Sequence, residues 1–295
     1  MSKQKDKETG CNKWEEHDEK ESNQLATHYN EARCPFGLRE IMGFVRAGDV
    51  VLDGGCGTGL HTQHLAVVAD RVVGIDSDVA RIKLAQERCH DLENTYFEVA
   101  SITQLPFEND SFDVVLLAQV LHHLGKEEVH VLDVLHRECR QALVEAKRVL
   151  RTNGRLILVT TTREQRRVAY WHFNLFPQSA WKRLDSVWSL TEGSWFKEMM
   201  HQLEFVEIGN AIPSESHWFD VQAELMVQRS LNPGWRSTDA AFGLLTPAEL
   251  SEFIAQVETV LADGTASELS NAAHAGRTSH GEATVRAYEV STRKQ

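Results

Sequence analysis

The chain has 295 residues, 42% of them hydrophobic, a size that fits a single α/β domain carrying insertions. Its formal net charge of −12 repels phosphate backbones, which argues against nucleic acid as a partner. The five cysteines are scattered and include no CxxC pair, so neither a disulfide framework nor a zinc site is predicted.

The N-terminal segment, residues 1–24, is charged and polar and predicts a disordered tail. It contains no apolar run typical of a secretory signal. No run in the chain approaches the roughly 20 apolar residues needed to cross a bilayer. We therefore expect a cytoplasmic protein with no part in the membrane. Apolar positions at helical spacing follow between residues 25 and 45, interrupted by Pro35 and Gly37.

Strand and helix patterns alternate strictly from residue 50 to residue 160. Short apolar runs predict strands at 50–52, 71–75, 95–99, 112–117 and 155–160, and helical spacing predicts helices at 60–69, 79–92 and 127–150. Apolar strands that alternate with amphipathic helices are typical of a parallel sheet covered on both faces. Residues 25–162 are therefore predicted to form a doubly wound α/β core.

The alternation weakens after residue 162. Residues 170–196 carry eight aromatic side chains, which fit a wall for a flat or apolar substrate, the small core of a helical cap, or a dimer interface. Beyond them we predict helices at 195–203 and 247–261, strands at 205–208 and 284–290, and a low-complexity stretch at 264–281. Residues 163–283 are thus assigned to a cap, the sixth strand and an insertion, and residues 284–295 to a last strand that completes the core sheet.

The sharpest motif is the glycine turn that follows the first strand, from Asp53 to Gly59. Glycine allows a tight turn and a close approach of backbone to ligand, and the amides at the start of the next helix are expected to bind a ligand's carboxylate. The spacing of a dinucleotide fingerprint would require a third glycine where Leu60 stands, which argues against a nicotinamide cofactor. Asp76 ends the second strand, where a carboxylate can accept both hydroxyls of a ribose.

With these pieces, residues 50–161 resemble the class I S-adenosylmethionine-dependent methyltransferases, in the style of the ubiquinone and menaquinone branch. The matching segments are VLDGGCGTG (51–59), VVGIDSD (72–78), LPFENDSFDVV (105–115), LHHL (121–124) and EAKRVLRTNGRLILV (145–159). The resemblance implies a Rossmann-like, mostly parallel, seven-stranded sheet with an antiparallel last strand. It also implies S-adenosylmethionine as methyl donor and a small-molecule acceptor, while the residues themselves show no complete ligand pattern, so no metal is predicted.

The resemblance also implies roles for particular residues. The methionine portion of the cofactor would be held by Asp53, by the backbone of Gly55, Gly57 and Gly59, and by Gln119 after the fourth strand. The ribose would bind Asp76, and the adenine would lie beside Ser77, Ser101 and Ile102, where Ser101 stands in the position of a family aspartate. Tyr29 resembles a family tyrosine that closes over the cofactor.

Two adjacent histidines, His122 and His123, follow the fourth strand and are the candidate general bases, because histidine titrates near neutral pH. The alternative is that they only pack or cap. A metal site built with His130 and His136 lacks a completing carboxylate or cysteine pattern. The rival functions are a protein or RNA methyltransferase and a non-catalytic S-adenosylmethionine-binding regulator. The acceptor atom and the choice between monomer and homodimer stay open.

Overall fold

A seven-stranded sheet forms the centre of the computed structural model, which describes residues 35–124, 132–213 and 223–290. Its strands are β1 (Val50–Gly54), β2 (Arg71–Asp76), β3 (Thr95–Val99), β4 (Phe112–Ala118), β5 (Leu150–Thr160), β6 (Phe205–Ala211) and β7 (Thr284–Val290). They lie in the order β3-β2-β1-β4-β5-β7-β6. Strand β7 pairs antiparallel with both of its neighbours, and the other pairs are parallel. This confirms the predicted Rossmann-like, doubly wound sheet with an antiparallel last strand.

Helices cover both faces of the sheet. They are α1 (Leu38–Met42), α2 (Thr62–Leu65), α3 (Val79–Arg88), α4 (Leu132–Val149), α5 (Arg163–Ala169), α6 (Trp181–Trp188), α7 (Ser194–Gln202), α8 (Ala223–Arg229), α9 (Pro233–Arg236), α10 (Pro247–Ala262) and α11 (Ala266–His280). In the described ranges, none of these helices combines the length and the apolar character that crossing a membrane requires.

The helix boundaries differ from the predicted ones in three places, of which one is the helix expected over 79–92, which ends at Arg88. The helix expected over 60–69 is regular only from Thr62 to Leu65, and α4 is described from Leu132, because residues 125–131 lie outside the described part. The stretch 264–281, described from its composition as low-complexity and given no predicted element, forms α11. Its small residues permit a backbone contact with α5, since a Cβ on Gly276 would lie 1.9 Å from the Val168 carbonyl oxygen.

Most of the aromatic side chains between residues 170 and 196 are buried within the cap. Trp171 and Phe173 are 1% exposed, and the ring of Phe176 lies 5.2 Å from that of Phe242 and 5.4 Å from that of Phe253, two residues from the later part of the cap. A buried ion pair joins α5 to the segment before α10, with the Arg166 guanidinium 3.1 Å from the carboxylate of Asp239. Because these rings face one another, they support the cap-core alternative over a substrate wall.

Candidate functional site

A cleft opens at the carboxyl ends of β1, β2 and β4. Strand order reverses between β1 and β4, and open α/β sheets bind ligands at such a switch point. The walls come from the glycine turn, the segments after β2, β3 and β4, and residues 35–36: Pro35, Phe36, Gly55, Cys56, Gly57, Leu60, His61, Asp76, Ser77, Arg81, Ala100, Ser101, Ile102, Ala118, Gln119, Val120, His123 and Leu124. The structure therefore brings most of the predicted site residues to one place.

Two glycines of the turn are required for different reasons. Gly55 has a φ of 75° and Gly57 a φ of 55°, both in the left-handed region that side chains rarely adopt. A Cβ on Gly55 would lie 2.5 Å from Cγ2 of Val120, so this position must stay small for packing. A Cβ on Gly57 would meet no atom within 4 Å, because Gly57 faces the open cleft. A side chain at Gly57 would therefore occupy space that the cleft leaves for a ligand.

The amides of this turn are bonded to the protein itself. The amides of Gly55 and Cys56 both donate to the Ile75 carbonyl at 2.8 Å. The Gly57 amide donates to Oδ2 of Asp76 at 3.0 Å, and the Gly59 amide donates to the Cys56 carbonyl at 3.0 Å. These four amides are therefore all bonded to acceptors within the protein.

Asp53 lies beneath the turn rather than on the cleft wall. Its side chain is 1% exposed, and its Oδ2 accepts a hydrogen bond of 2.6 Å from the hydroxyl of Thr62, the first residue of α2. Burial raises the pKa of the Asp53 carboxyl, and the charge of Asp76 adds to this effect, while His61 and Thr62 oppose it. Asp53 therefore links β1 to the start of α2. It does not line the cleft itself and affects it only by holding neighbouring residues in position. Gly59 is likewise absent from the wall.

Asp76 presents its carboxylate to the cleft. Its Oδ2 accepts from the Gly57 amide and its Oδ1 accepts from the Asp78 amide, each at 3.0 Å. A carboxylate has about four acceptor positions, so two remain for hydroxyl groups of a ligand. The Ala100 amide donates to the Asp76 carbonyl at 3.1 Å, which brings the end of β3 beside this residue.

The wall beyond Asp76 is formed by Ser77, Arg81, Ser101 and Ile102. Ser77 and Ser101 are exposed, whereas the Ile102 side chain is buried and gives an apolar surface. The Arg81 guanidinium comes within 4.0 Å of Oδ2 of Asp76. Arg81 was missed by the sequence reasoning, although its position one turn into the helix after Asp76 was a usable signal.

His61 also lines the cleft without having been predicted. Its Nε2 donates to the Phe36 carbonyl at 3.0 Å. This hydrogen bond connects the segment before α1 to the residues that directly follow the glycine turn. This contact joins residues that are distant in the sequence, so no local sequence pattern could predict it. Tyr29, which was predicted to close over the cofactor, lies outside the described residues.

Gln119 follows β4 in an unusual conformation. Its φ is 54°, in the left-handed region, which costs a residue with a side chain about 1–2 kcal/mol. Its Nε2 donates to the Thr161 hydroxyl at 2.8 Å, and its buried Oε1 has no hydrogen-bond partner among the described residues. A retained strain and an unsatisfied buried acceptor are both features of ligand-binding positions.

The two candidate bases lie in different surroundings. His123 is on the cleft wall, whereas His122 borders a small cavity beneath the cap, with its ring centroid 6.2 Å from that of Trp188. The two rings are adjacent, 4.2 Å apart. The structure therefore brings His123 to the cleft and directs His122 toward the cap.

The described ranges offer little to metal or thiol chemistry. Within them, no three His, Cys, Asp or Glu side chains are grouped so that they could hold a metal ion, and His130 lies outside these ranges. The ring of His136 stacks on Trp195 at 4.1 Å. Burial raises the pKa of Cys89 to about 11 and that of Cys139 to about 12, so neither supplies a thiolate at neutral pH.

A model of the methyltransferase domain family matches residues 52–158, the segment that carries the cleft's turn and strands. This segment is a class I methyltransferase domain. The cofactor of this domain class is S-adenosylmethionine, and the open face of Gly57 and the unsatisfied Oε1 of Gln119 fit a ligand at this position.

Curated relatives of this methyltransferase domain match this chain over only part of their own length. The demethylmenaquinone methyltransferase of Tropheryma whipplei is 30% identical over 142 residues, which is 48% of this chain and 52% of that protein. The 27-O-demethylrifamycin SV methyltransferase of Amycolatopsis mediterranei is 35% identical over 118 residues, 39% of each chain. The chain thus spans about half or less of the length of these two relatives.

Solved structures extend the likeness of fold beyond the domain. The YcgJ protein of Bacillus subtilis is 18% identical with a TM-score of 0.51, covering 87% of this chain and 98% of its own. A putative methyltransferase of Bacillus halodurans is 14% identical with a TM-score of 0.52, covering 87% and 99%. At these identities the comparison concerns the fold alone.

Proposed function

We propose that this protein transfers the methyl group of S-adenosylmethionine to a small-molecule acceptor. The observation that carries the proposal is the cleft of the methyltransferase domain, where the carboxylate of Asp76 lies beside the open face of Gly57. The Gly57 amide donates a hydrogen bond of 3.0 Å to this carboxylate. Two of the relatives are named for methylation of small molecules, a menaquinone precursor and a rifamycin. Their names support the same acceptor class here.

The wall residues divide the cleft between the parts of the cofactor. Asp76 accepts hydrogen bonds from the ribose hydroxyls, because its carboxylate keeps acceptor positions beyond the two amides it already binds. The base lies against Ser77, Ser101 and Ile102, on the far side of Asp76. The methionine portion lies along Gly57 toward Gln119, while Asp53 positions the turn from below.

The bound cofactor supplies a methyl group already activated by its sulfonium. The protein therefore needs chiefly to align the acceptor and exclude water, and a general base only where the acceptor must lose a proton. His123 takes that role in our proposal, because its side chain lines the cleft. His122 contacts the cap instead and acts on the position of its neighbour.

Two rival functions remain to be separated from this proposal. A protein or RNA methyltransferase would need a surface for a macromolecule, and the net charge of −12 disfavours RNA. A regulator that binds the cofactor without catalysis would keep the same cleft. We retain the prediction of a cytoplasmic monomer or homodimer.

The experiment is a screen with S-adenosylmethionine carrying an isotopically labelled methyl group. Small-molecule extracts and panels of quinones, phenols and amines are incubated with the protein, and mass spectrometry detects a gain of one labelled methyl. The label is expected in a small molecule, and its transfer should fail in the Asp76→Ala variant. Label in protein or RNA instead would contradict the acceptor class. Cofactor binding without transfer to any fraction would favour the regulator.

A further inference from the structure

The base end of the cleft is lined by hydroxyl groups rather than by a carboxylate. Among the described residues on the cleft wall, Asp76 is the only acid. Its carboxylate is already bonded to the amides of Gly57 and Asp78 and, in our proposed function, to the ribose. A purine attached to that ribose therefore contacts hydroxyl and apolar side chains and no second carboxylate on the described cleft wall.

The position of the base follows from the backbone around Asp76. The Ala100 amide donates to the Asp76 carbonyl at 3.1 Å, so the residues directly after β3 lie next to the ribose position. Ser101 is held there by a tight turn, in which the Gln104 amide donates to the Ser101 carbonyl at 3.1 Å. The adjacent Ile102 offers an apolar surface to the flat ring. In the binding mode of our proposed function, the polar edge of the base then faces Ser101.

The hydroxyl of Ser101 belongs to a pair that can change direction. Its Oγ lies 2.8 Å from Oγ1 of Thr103, and either atom can donate. The Thr103 amide also donates to the Ser101 Oγ at 3.2 Å. When Thr103 donates, the Ser101 proton is available to a ligand's acceptor. When Ser101 donates, its oxygen is available to a ligand's donor.

From this geometry we propose that the base subsite of the cleft, at Ser101 with its hydroxyl paired to that of Thr103, accepts a 6-oxopurine in place of adenine with little loss of affinity. An adenine presents a 6-amino donor and a hypoxanthine presents a 6-oxo acceptor, and the hydroxyl pair serves either. A carboxylate would accept from the amino group and repel the oxo group. Arg81 on the same wall has only donors, so it adds no preference for the amino group.

The test compares two ligands by calorimetry, S-adenosylhomocysteine and its deaminated form, S-inosylhomocysteine. The inference rests on the proposed function, and the first ligand tests that function by itself. For the unaltered protein, the two dissociation constants are expected to agree within about tenfold, since a hydroxyl can bond either 6-substituent. Rejection of the inosine compound by more than about a hundredfold would overturn the inference.

Three variants make the comparison sharper. Ser101→Asp should raise the ratio of the two constants by at least about tenfold, because a carboxylate only accepts. Ser101→Ala should weaken both ligands and leave their ratio near that of the unaltered protein. Ser111→Asp carries the same change to a half-buried serine directly before β4, away from the cleft, and should leave both constants unchanged.

The outcomes separate the two claims. An unchanged ratio in Ser101→Asp, with S-adenosylhomocysteine still bound, would refute the hydroxyl account and leave the proposed function standing. Failure of the unaltered protein to bind S-adenosylhomocysteine would overturn both.

Discussion

Replacement of Asp76 by asparagine separates the charge of this residue from its shape. Asparagine keeps the volume and one oxygen, but its NH₂ group faces a donor at one of the two positions where Gly57 and Asp78 now donate. Hydrogen bonds to a charged acceptor contribute about 1.5–3 kcal/mol, against about 0.5–1.5 for neutral pairs. For two ribose hydroxyls in a cleft open to solvent, we expect a loss of about 1.4–2.8 kcal/mol, or about tenfold to a hundredfold in affinity.

The assay is calorimetric titration with S-adenosylhomocysteine, together with urea unfolding of each variant. One amide left without its acceptor should lower the free energy of unfolding by about 1–3 kcal/mol. Asp113→Asn is the matched control, since Asp113 also accepts from a backbone amide, that of Val50 at 2.8 Å, and from Arg151 at 2.6 Å, at the opposite edge of the sheet. The control should lose stability and keep its affinity. The ribose assignment fails if Asp76→Asn binds as tightly as the unaltered protein, or if the control weakens binding equally.

Three further changes test other parts of the account. Gly57→Ala should fold with a penalty of about 1–2 kcal/mol in the free energy of unfolding and should lose S-adenosylhomocysteine binding. Gly55→Ala should lower the free energy of unfolding further, because its new Cβ would lie 2.5 Å from Val120. Equal unfolding midpoints for the two variants would contradict this. Hydrogen bonds from Arg183 and Ser179 lower the pKa of Glu249 from 4.5 to about 2, so its stabilisation is complete above pH 4.5 and is lost as pH falls toward 2. Urea unfolding of Glu249→Gln should therefore differ from the unaltered protein at neutral pH and converge with it over that range; a constant difference would refute the assignment. Iodoacetamide at pH 8 should leave Cys139 unmodified in the folded protein, as peptide mass spectrometry can show, because burial raises its pKa to about 12; rapid alkylation would contradict the buried thiol.

The strands could be predicted from sequence because each is an apolar run enclosed on both faces. Val51 and Leu52 of β1 are fully buried, as are Val114 and Val115 of β4. A run of this kind predicts a parallel strand without knowledge of its partners. Asp76 was predictable for a related reason, since a carboxylate that ends such a strand lies at the edge where ligands bind.

The parts that sequence did not predict depend on contacts between distant residues. His122 and His123 are neighbours in one turn, Leu121–His123, and only the position of Trp188 in the cap shows which of them faces the cleft. The amides of the glycine turn are bonded to Ile75 and Asp76 on the next strand, a pairing that the motif itself does not reveal. Such contacts follow from the packed fold rather than from local spacing.

The small-residue stretch at 264–281 is a helix that the hydrophobic pattern of the sequence did not predict. Its alanines, serines and glycines give little amphipathic pattern, yet they allow α11 to approach α5 until Gly276 touches the backbone of Val168. A larger residue at Gly276 would prevent this approach. The helix is therefore selected by close tertiary contact rather than by hydrophobic periodicity.

The measurement that tests the central claim most directly is calorimetric titration of the protein with S-adenosylhomocysteine and, separately, with NAD. We expect saturable binding of one S-adenosylhomocysteine per chain, weakened in Asp76→Asn and unchanged in Asp113→Asn, and no binding of NAD. Absence of S-adenosylhomocysteine binding, or preferential binding of NAD, would contradict the assignment of the cleft.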